Sequence, residues 1–322
     1  MRTEEFTFPS ADGRTTVHAR RWMPDFGRCR AVLQIAHGMI EYIERYEDFA
    51  HFVTEHGCLV VGHDHIGHGQ SVVTQDEWGY FCEDHPSDVL VEDMHTLRTM
   101  TQERYADCPY FMLGHSMGSY LLRKYLSVKN TDRLAGAVLL GTGYVPAVST
   151  GFGIRVVNLM SKFTGWHYRS RLVAWLSFGR PYRKYDLLGK NPGNSWLTKD
   201  VEKVKQYYAT PCCSFFFTIN GYLGLYEAVQ FAGKKENAKR ISGRLPLLIL
   251  SGADDPVGNN GVGVRKVCEM YREAGIRDIT CKLYENDRHE ILNETDRQMV
   301  YRDIMDWMMA RMYESDGEKE IL

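Results

Sequence analysis

The stretch Tyr110-Phe111-Met112-Leu113-Gly114-His115-Ser116-Met117-Gly118 decides how this chain is read. It begins as an apolar run of strand character, and immediately afterwards Met117, Tyr120, Leu121 and Tyr125 recur at helical spacing. A strand that passes straight into a helix needs small residues around the apex of the turn, and Gly114 and Gly118 supply them. The apex residue, Ser116, is thereby lifted clear of its neighbours. A serine hydroxyl is a weak nucleophile, so such exposure implies chemistry only where a base and an orienting acid can be found.

Outward from this turn, β-rich runs alternate with amphipathic stretches. Residues 15–22 read as an early edge strand, and 31–36, 58–62, 110–113, 135–140, 245–250 and 278–284 as core strands. Tyr46, Phe49, Ala50 and Val53 mark a helix closed by Gly57, and Leu90, Met94 and Leu97 mark another with Ser87 as its N-cap. Val300, Ile304, Trp307, Met308 and Met312 share one face of a last helix that starts near Thr295, and the polar segment 314–320 after Tyr313 is expected to fray. This alternation predicts an α/β fold with a mostly parallel central sheet flanked by helices.

The alternation breaks where aromatic and basic residues mix without strand periodicity. The expected organisation is a core of residues 1–144 and 244–322 with an inserted, mainly helical lid at 145–243. Within the lid, 152–178 carries Ile154, Val157, Leu159, Phe163, Trp166, Leu172, Trp175 and Leu176 among Arg155, Lys162, Arg169 and Arg171. Such a composition suits ordinary packing helices, the wall of an acyl pocket, or a peripheral contact with a membrane.

A chain of 322 residues buries roughly three quarters of its unfolded surface and needs no staples. With 39 basic against 41 acidic residues, the net charge of -2 gives no electrostatic footprint for nucleic acid, and neutral partners are expected. The eight cysteines are scattered, with no C-x-x-C pair and no secretory segment before them, so a reducing cytoplasm is expected and adjacent Cys212 and Cys213 are read as packing residues. No apolar run approaches the ~20 residues that cross a bilayer. Oligomeric state is not legible in the sequence.

The partners Ser116 needs lie near the end of the chain, in the order acid then histidine. The run 245–250 opens into Ser251-Gly252-Ala253-Asp254-Asp255-Pro256, which puts two carboxylates beyond the end of a strand, where sites of open α/β sheets sit. His289 stands in the loop before the last helix and is the only histidine after His167. The rival histidines His63, His65 and His68 are broken up by glycines into a turn after a strand, which weighs against a metal site. His115 points the wrong way on the turn to act as base and is read as a packing or hydrogen-bonding residue beside the substrate. An oxyanion hole needs two backbone N–H groups aimed at one point: Met117 at the helix start supplies one. Met39, after His37 and Gly38 in the turn beyond an early strand, supplies the other. His37 and Gly38 are grouped with His115 as substrate-contacting.

Six segments together carry a resemblance: His37-Gly38-Met39 with Glu41, Arg45 and Tyr46; 64–71; 114–118; Trp196-Leu197-Thr198-Lys199-Asp200; 252–258; and 288–294. In them the chain resembles the α/β-hydrolase superfamily, and within it the monoacylglycerol lipase and lysophospholipase group. The family's G-x-x-D spacing falls on Gly252 and Asp255, which singles out Asp255 rather than Asp254 as triad acid with Ser116 and His289. Ile66, where the family usually has arginine, and Ser214, where relatives often have glycine, are departures outside the triad. The resemblance implies cleavage of a monoacylglycerol or lysophospholipid-type ester through an acyl-enzyme, with no metal or organic cofactor. Small-ester, thioester or peptide cleavage and acyl transfer to an alcohol remain open on the same triad, and a non-catalytic ligand receptor is the alternative of a different class. The lid acids Asp186, Asp200, Glu202, Glu227 and Glu236 form no cluster of the kind that would hold a peptide's amine.

Overall fold

The computed structural model of the protein describes residues 1–25 and 27–317. Strands that read as unbroken apolar runs can be satisfied only when both faces are covered, which is the condition of a parallel strand inside a layered α/β domain. Every residue of β3 (Val32–Ala36), β4 (Leu59–His63), β5 (Tyr110–His115) and β7 (Leu247–Gly252) is buried. With β1 (Arg2–Pro9), β2 (Thr16–Met23), β6 (Leu134–Leu140) and β8 (Ile279–Tyr284) they form one sheet in the order β1-β2-β4-β3-β5-β6-β7-β8, parallel from β4 to β8.

The two-residue period of the strands sorts their side chains into two cores. Tyr110, Met112, Ala137, Leu139, Leu247 and Ile249 face one layer, which contains α2 (Pro86–Arg104), α3 (Met117–Val128) and α9 (Val262–Glu273). Phe111, Leu113, Val138, Leu140, Leu248 and Leu250 face the other, against α1 (Glu47–Glu55) and the final helix (Arg297–Gly317). Between β6 and β7 the chain departs to make α4 (Ala147–Thr164), α5 (Arg171–Ser177), α6 (Val201–Ala209), α7 (Ile219–Ala232) and the short α8 (Lys235–Ala238). The final helix is α10.

The predicted core strands all form, within two residues of their expected ends. Three expectations need correction. The strand expected at the edge, β2, pairs with β4 on one side and is covered on the other by β1, whose alternation of Phe6 and Phe8 with charged and hydroxyl residues is the pattern of a half-exposed edge. Ser87 is not an N-cap: Pro86 occupies the first helical position behind His85, and the Ser87 hydroxyl instead donates to Glu227 Oε2 at 2.9 Å and accepts from Lys124 Nζ at 2.7 Å. The last helix continues past Tyr313 to Gly317 where fraying was expected, and 318–320 lie outside the described residues. Among the described residues no helix is long and apolar enough to cross a membrane.

Candidate active site

Ser116 sits between the end of β5 and the start of α3 with φ +53° and ψ −119°, a conformation that costs a non-glycine residue about 1–3 kcal/mol. The turn closes only because its flanks are bare. A Cβ on Gly114 would stand 2.4 Å from the Gly118 carbonyl oxygen, and one on Gly118 would stand 2.1 Å from that of Ala36. The second contact matters most for the site, since it brings the end of β3, and the loop that carries Gly38 and Met39, against the serine.

Asp255 and His289 come together from the loops beyond β7 and β8. The imidazole Nδ1 is 3.0 Å from Asp255 Oδ2, and both residues are buried. The carboxylate is itself fixed, accepting from Ser251 Oγ at 3.1 Å and from the Val257 N–H at 2.8 Å. Asp254 is exposed, and its N–H is spent on the Asp287 carbonyl, so the neighbouring carboxylate is not part of the cluster.

A cavity of about 910 Å³ opens over Ser116 and His289, toward the upper end of the ~300–1,000 Å³ of small-molecule sites. Gly38, Met39, Met117 and His115 lie on its floor, and the insertion supplies apolar walls through Phe152, Val156, Val173, Leu176 and Phe178. The 152–178 stretch thus divides its residues. Val157 is fully buried, the residues just named face the cavity, and Leu159, Phe163, Leu172 and Trp175 are exposed, Phe163 to 83 %.

Behind the floor lies a buried network of charges that sequence reasoning did not resolve. Glu41 accepts from the Gly38 N–H, from Tyr46 OH at 2.8 Å, from Arg45 Nη1 at 2.7 Å and from His115 Nδ1 at 2.9 Å. Arg45 grips Glu290 with both terminal nitrogens, at 2.9 and 2.7 Å. Burial opposes a charge on His115, but the Glu41 carboxylate and its hydrogen bond more than reverse this and leave the pKa above its ordinary value. Burial likewise works against the Glu41 carboxylate, and His115 and Arg45 hold its pKa well below the ordinary range. In the sequence only the i, i+4 spacing of Glu41 and Arg45 hints at a pairing; Glu290 lies 245 residues beyond Arg45.

His37 does not reach the cavity, contrary to its grouping with the substrate-contacting residues. It is fully buried, accepts from the His65 N–H at 2.9 Å through Nε2, and lies with its ring 4.4 Å from that of His65 and 5.1 Å from that of His68. His63 completes the group, 4.8 Å from His65. Burial pushes the pKa of His63 and His68 down to about 3 and that of His65 well below its ordinary value. Among the described residues no group of three or more histidine, cysteine or acidic side chains is arranged to hold a metal ion.

Residues 27–296 match the family Hydrolase_4, described as serine aminopeptidase, S33. The chain is 26 % identical over 296 residues to the monoacylglycerol lipase of Mycolicibacterium smegmatis, covering 90 % of this chain and 92 % of the relative. Human monoglyceride lipase is also 26 % identical, over 311 residues that cover 94 % of this chain and 89 % of the relative. Among solved structures, a thermostable carboxyl esterase from Bacillus coagulans in complex with glycerol superposes with a TM-score of 0.88 at 28 % identity, covering 97 % of this chain and 99 % of that one. With a match that spans most of its length, the chain belongs to the Hydrolase_4 family, serine hydrolases built on the α/β-hydrolase fold.

Proposed function

We propose that the protein is a serine carboxylester hydrolase that cleaves monoacylglycerol or lysophospholipid-type esters. The observation that carries this reading is the large, mainly apolar cavity with Ser116 and His289 on its floor, which offers an acyl chain a dry wall and the ester carbonyl a position at the serine. Similarity to monoacylglycerol lipases over nearly the whole chain supports the same substrate class.

In this mechanism Ser116 Oγ attacks the carbonyl carbon while His289 Nε2 takes its proton. Asp255 holds the Nδ1 proton and stabilises the imidazolium. The tetrahedral oxyanion is received by the Met39 and Met117 N–H groups, each worth about 2.7–4 kcal/mol by analogy with measured donors. The C–O bond to the alcohol breaks, His289 returns its proton to the departing oxygen, and the acyl group stays on Ser116. A water molecule deprotonated by the same imidazole then releases the acid.

The insertion at 145–243 is the lid of this site, and its exposed Leu159, Phe163, Leu172 and Trp175 are suited to rest on a lipid surface. Eight free cysteines fit a reducing compartment such as the cytoplasm. An aminopeptidase reading is weaker, because the two glutamates that line the cavity, Glu41 and Glu290, are both already paired with Arg45 rather than turned toward a substrate amine. The test is fatty-acid release from 1-oleoylglycerol and lysophosphatidylcholine against amine release from aminoacyl anilides, with Ser116→Ala alongside. Serine-dependent turnover of the lipid esters is expected; turnover of anilides alone would overturn the reading.

A further inference from the structure

His289 lies in the irregular segment between β8 and α10, so no regular element fixes its ring. The hydrogen bond to Asp255 holds one nitrogen at 3.0 Å but does not by itself set the tilt of the imidazole about that contact. Something else must set the plane in which Nε2 meets Ser116. Two rings lie against it: His115, with centroids 4.8 Å apart and planes at 41°, and Trp196, at 4.9 Å and 28°.

Trp196 comes from the insertion, and its segment is stitched to the histidine loop along its length. The His289 and Glu290 N–H groups donate to the Trp196 and Leu197 carbonyls at 3.4 and 2.7 Å. The Arg288 guanidinium donates to the Ser195 carbonyl and, at 3.3 Å, to that of Thr198. Thr198 Oγ1 donates to the Asn293 carbonyl at 3.0 Å, and the Lys199 N–H to Glu294 Oε2 at 3.1 Å. The backbone that carries the indole is therefore tied to the backbone that carries the imidazole. On its far side it meets Tyr182 at 5.3 Å and Phe178 at 6.1 Å, which line the cavity as Trp196 itself does.

We propose that Trp196 is a positioning residue for the reaction: its indole face holds the His289 imidazole in the plane that meets Ser116 and favours the imidazolium formed when the serine proton is transferred. The proposal rests on the serine-hydrolase reading of Ser116 and His289. The physical basis is the attraction of a cation to an indole face, strongest where water is excluded. The other groups that face the imidazole are committed: the Asp255 carboxylate to Nδ1, His115 to Glu41, and Glu290 to Arg45. Of the two rings that lie against the imidazole, Trp196 is the one that carries no titratable group and the one supplied by the insertion. Residues that wall the acyl cavity and the residue that orients the base are in this way parts of one aromatic stack.

The experiment compares Trp196→Leu and Trp196→Phe with wild type, after thermal melts establish that each variant is folded. It reads three quantities: the rate of Ser116 labelling by a fluorophosphonate, kcat and KM on p-nitrophenyl acetate and p-nitrophenyl decanoate, and the low-field proton resonance of the His289–Asp255 hydrogen bond. Trp196→Leu is expected to lower kcat about ten- to thirty-fold on both esters, to slow labelling in proportion, and to weaken or shift the low-field resonance. Trp196→Phe, which keeps a ring, is expected to recover most of this. Acetate carries no chain to touch the cavity wall. If Trp196→Leu raises KM for decanoate while acetate turnover, labelling and the resonance stay at wild-type values, Trp196 is a cavity wall and the proposal is wrong. Labelling of the wild type that is lost in Ser116→Ala is the control for the underlying reading, and its absence would overturn that reading first.

Discussion

Two groups of buried polar side chains flank the loop that carries Gly38 and Met39, and they solve the problem of burial in opposite ways. On one side, Glu41 and Glu290 keep their charges by sharing the Arg45 guanidinium, and the His115 imidazole, its pKa raised by Glu41, lies against the same Glu41 carboxylate. On the other, His37, His63, His65 and His68 give up charge altogether. His63 Nδ1 and Nε2, His65 Nδ1 and Nε2 and His68 Nε2 find no hydrogen-bond partner among the described residues, and their rings pack on one another and on Phe8 and Phe81 as aromatic bodies. A paired charge is directional and is costly to break by the loss of a single member, whereas a neutral imidazole packs like any ring until protons become plentiful. The paired side is therefore where precise placement is kept, and the neutral side is where acid sensitivity is stored.

Substitutions can break this contrast, and the largest effect belongs to the hydrogen-bonded pair of Asp255 and His289, whose imidazole shares the cavity with Ser116. Asp255→Asn leaves the shape of the site intact but offers His289 Nδ1 an amide in place of a carboxylate, and kcat is expected to fall about 10⁴-fold. Asp254→Asn, one residue away and exposed, is expected to stay within a few-fold of wild type. Equal losses in steady-state assays would show that burial and pairing do not separate the two carboxylates.

Next in size is Glu41→Gln. It removes one of the two carboxylates that share Arg45 and the one that faces His115, and breaking such a network costs about 3–5 kcal/mol. The Gly38 N–H loses its carboxylate acceptor in the same step. A misplaced Met39 is expected to cost about 10²-fold in kcat, beyond the loss read in denaturant melts. A variant of wild-type stability would mean that the network is not what holds the loop.

The smallest single effect is expected on the neutral side. His63 and His68 have pKa values lowered to about 3 by burial, while the unfolded chain titrates near 6.5. Below pH 6.5 the unfolded state thus binds more protons than the folded one, and stability falls as pH falls, by about 1.4 kcal/mol per pH unit for each such histidine, until the folded pKa is reached. Their stabilising contribution is fully present above 6.5. His63→Leu, which removes two unpartnered nitrogens, is expected to change neutral-pH stability by about 1 kcal/mol or less and to flatten the decline between pH 6.5 and 3 by one proton. An unchanged slope in melts across that range would mean that His63 is already protonated in the folded protein.

Local patterns gave a good account of this molecule, and contacts between distant segments did not. The strands were legible because Val32–Ala36, Leu59–His63 and Leu247–Gly252 are apolar throughout, and the serine turn because Gly114 and Gly118 have no room for a Cβ. Asp255 was separable from Asp254 only by the family spacing; the structure puts its carboxylate 3.0 Å from His289 Nδ1. Edge strand β1 escaped because its outward residues are charged, and Ser87 misled because Pro86 already starts the helix. Neither the bond from Arg45 to Glu290 nor the stack of Trp196 on His289 leaves a mark in any short window, since each joins residues brought together only when the sheet and the insertion close. His37 looked like a site residue because it precedes Gly38, yet the His65 N–H holds its ring in the core.

The most direct test of the account is the hydrolysis of p-nitrophenyl esters from acetate to palmitate by wild type and Ser116→Ala side by side. The account predicts turnover that depends on Ser116 and peaks at medium or long chains, as the cavity of about 910 Å³ accepts more of the acyl group. Turnover confined to acetate, or retained by Ser116→Ala, would contradict it.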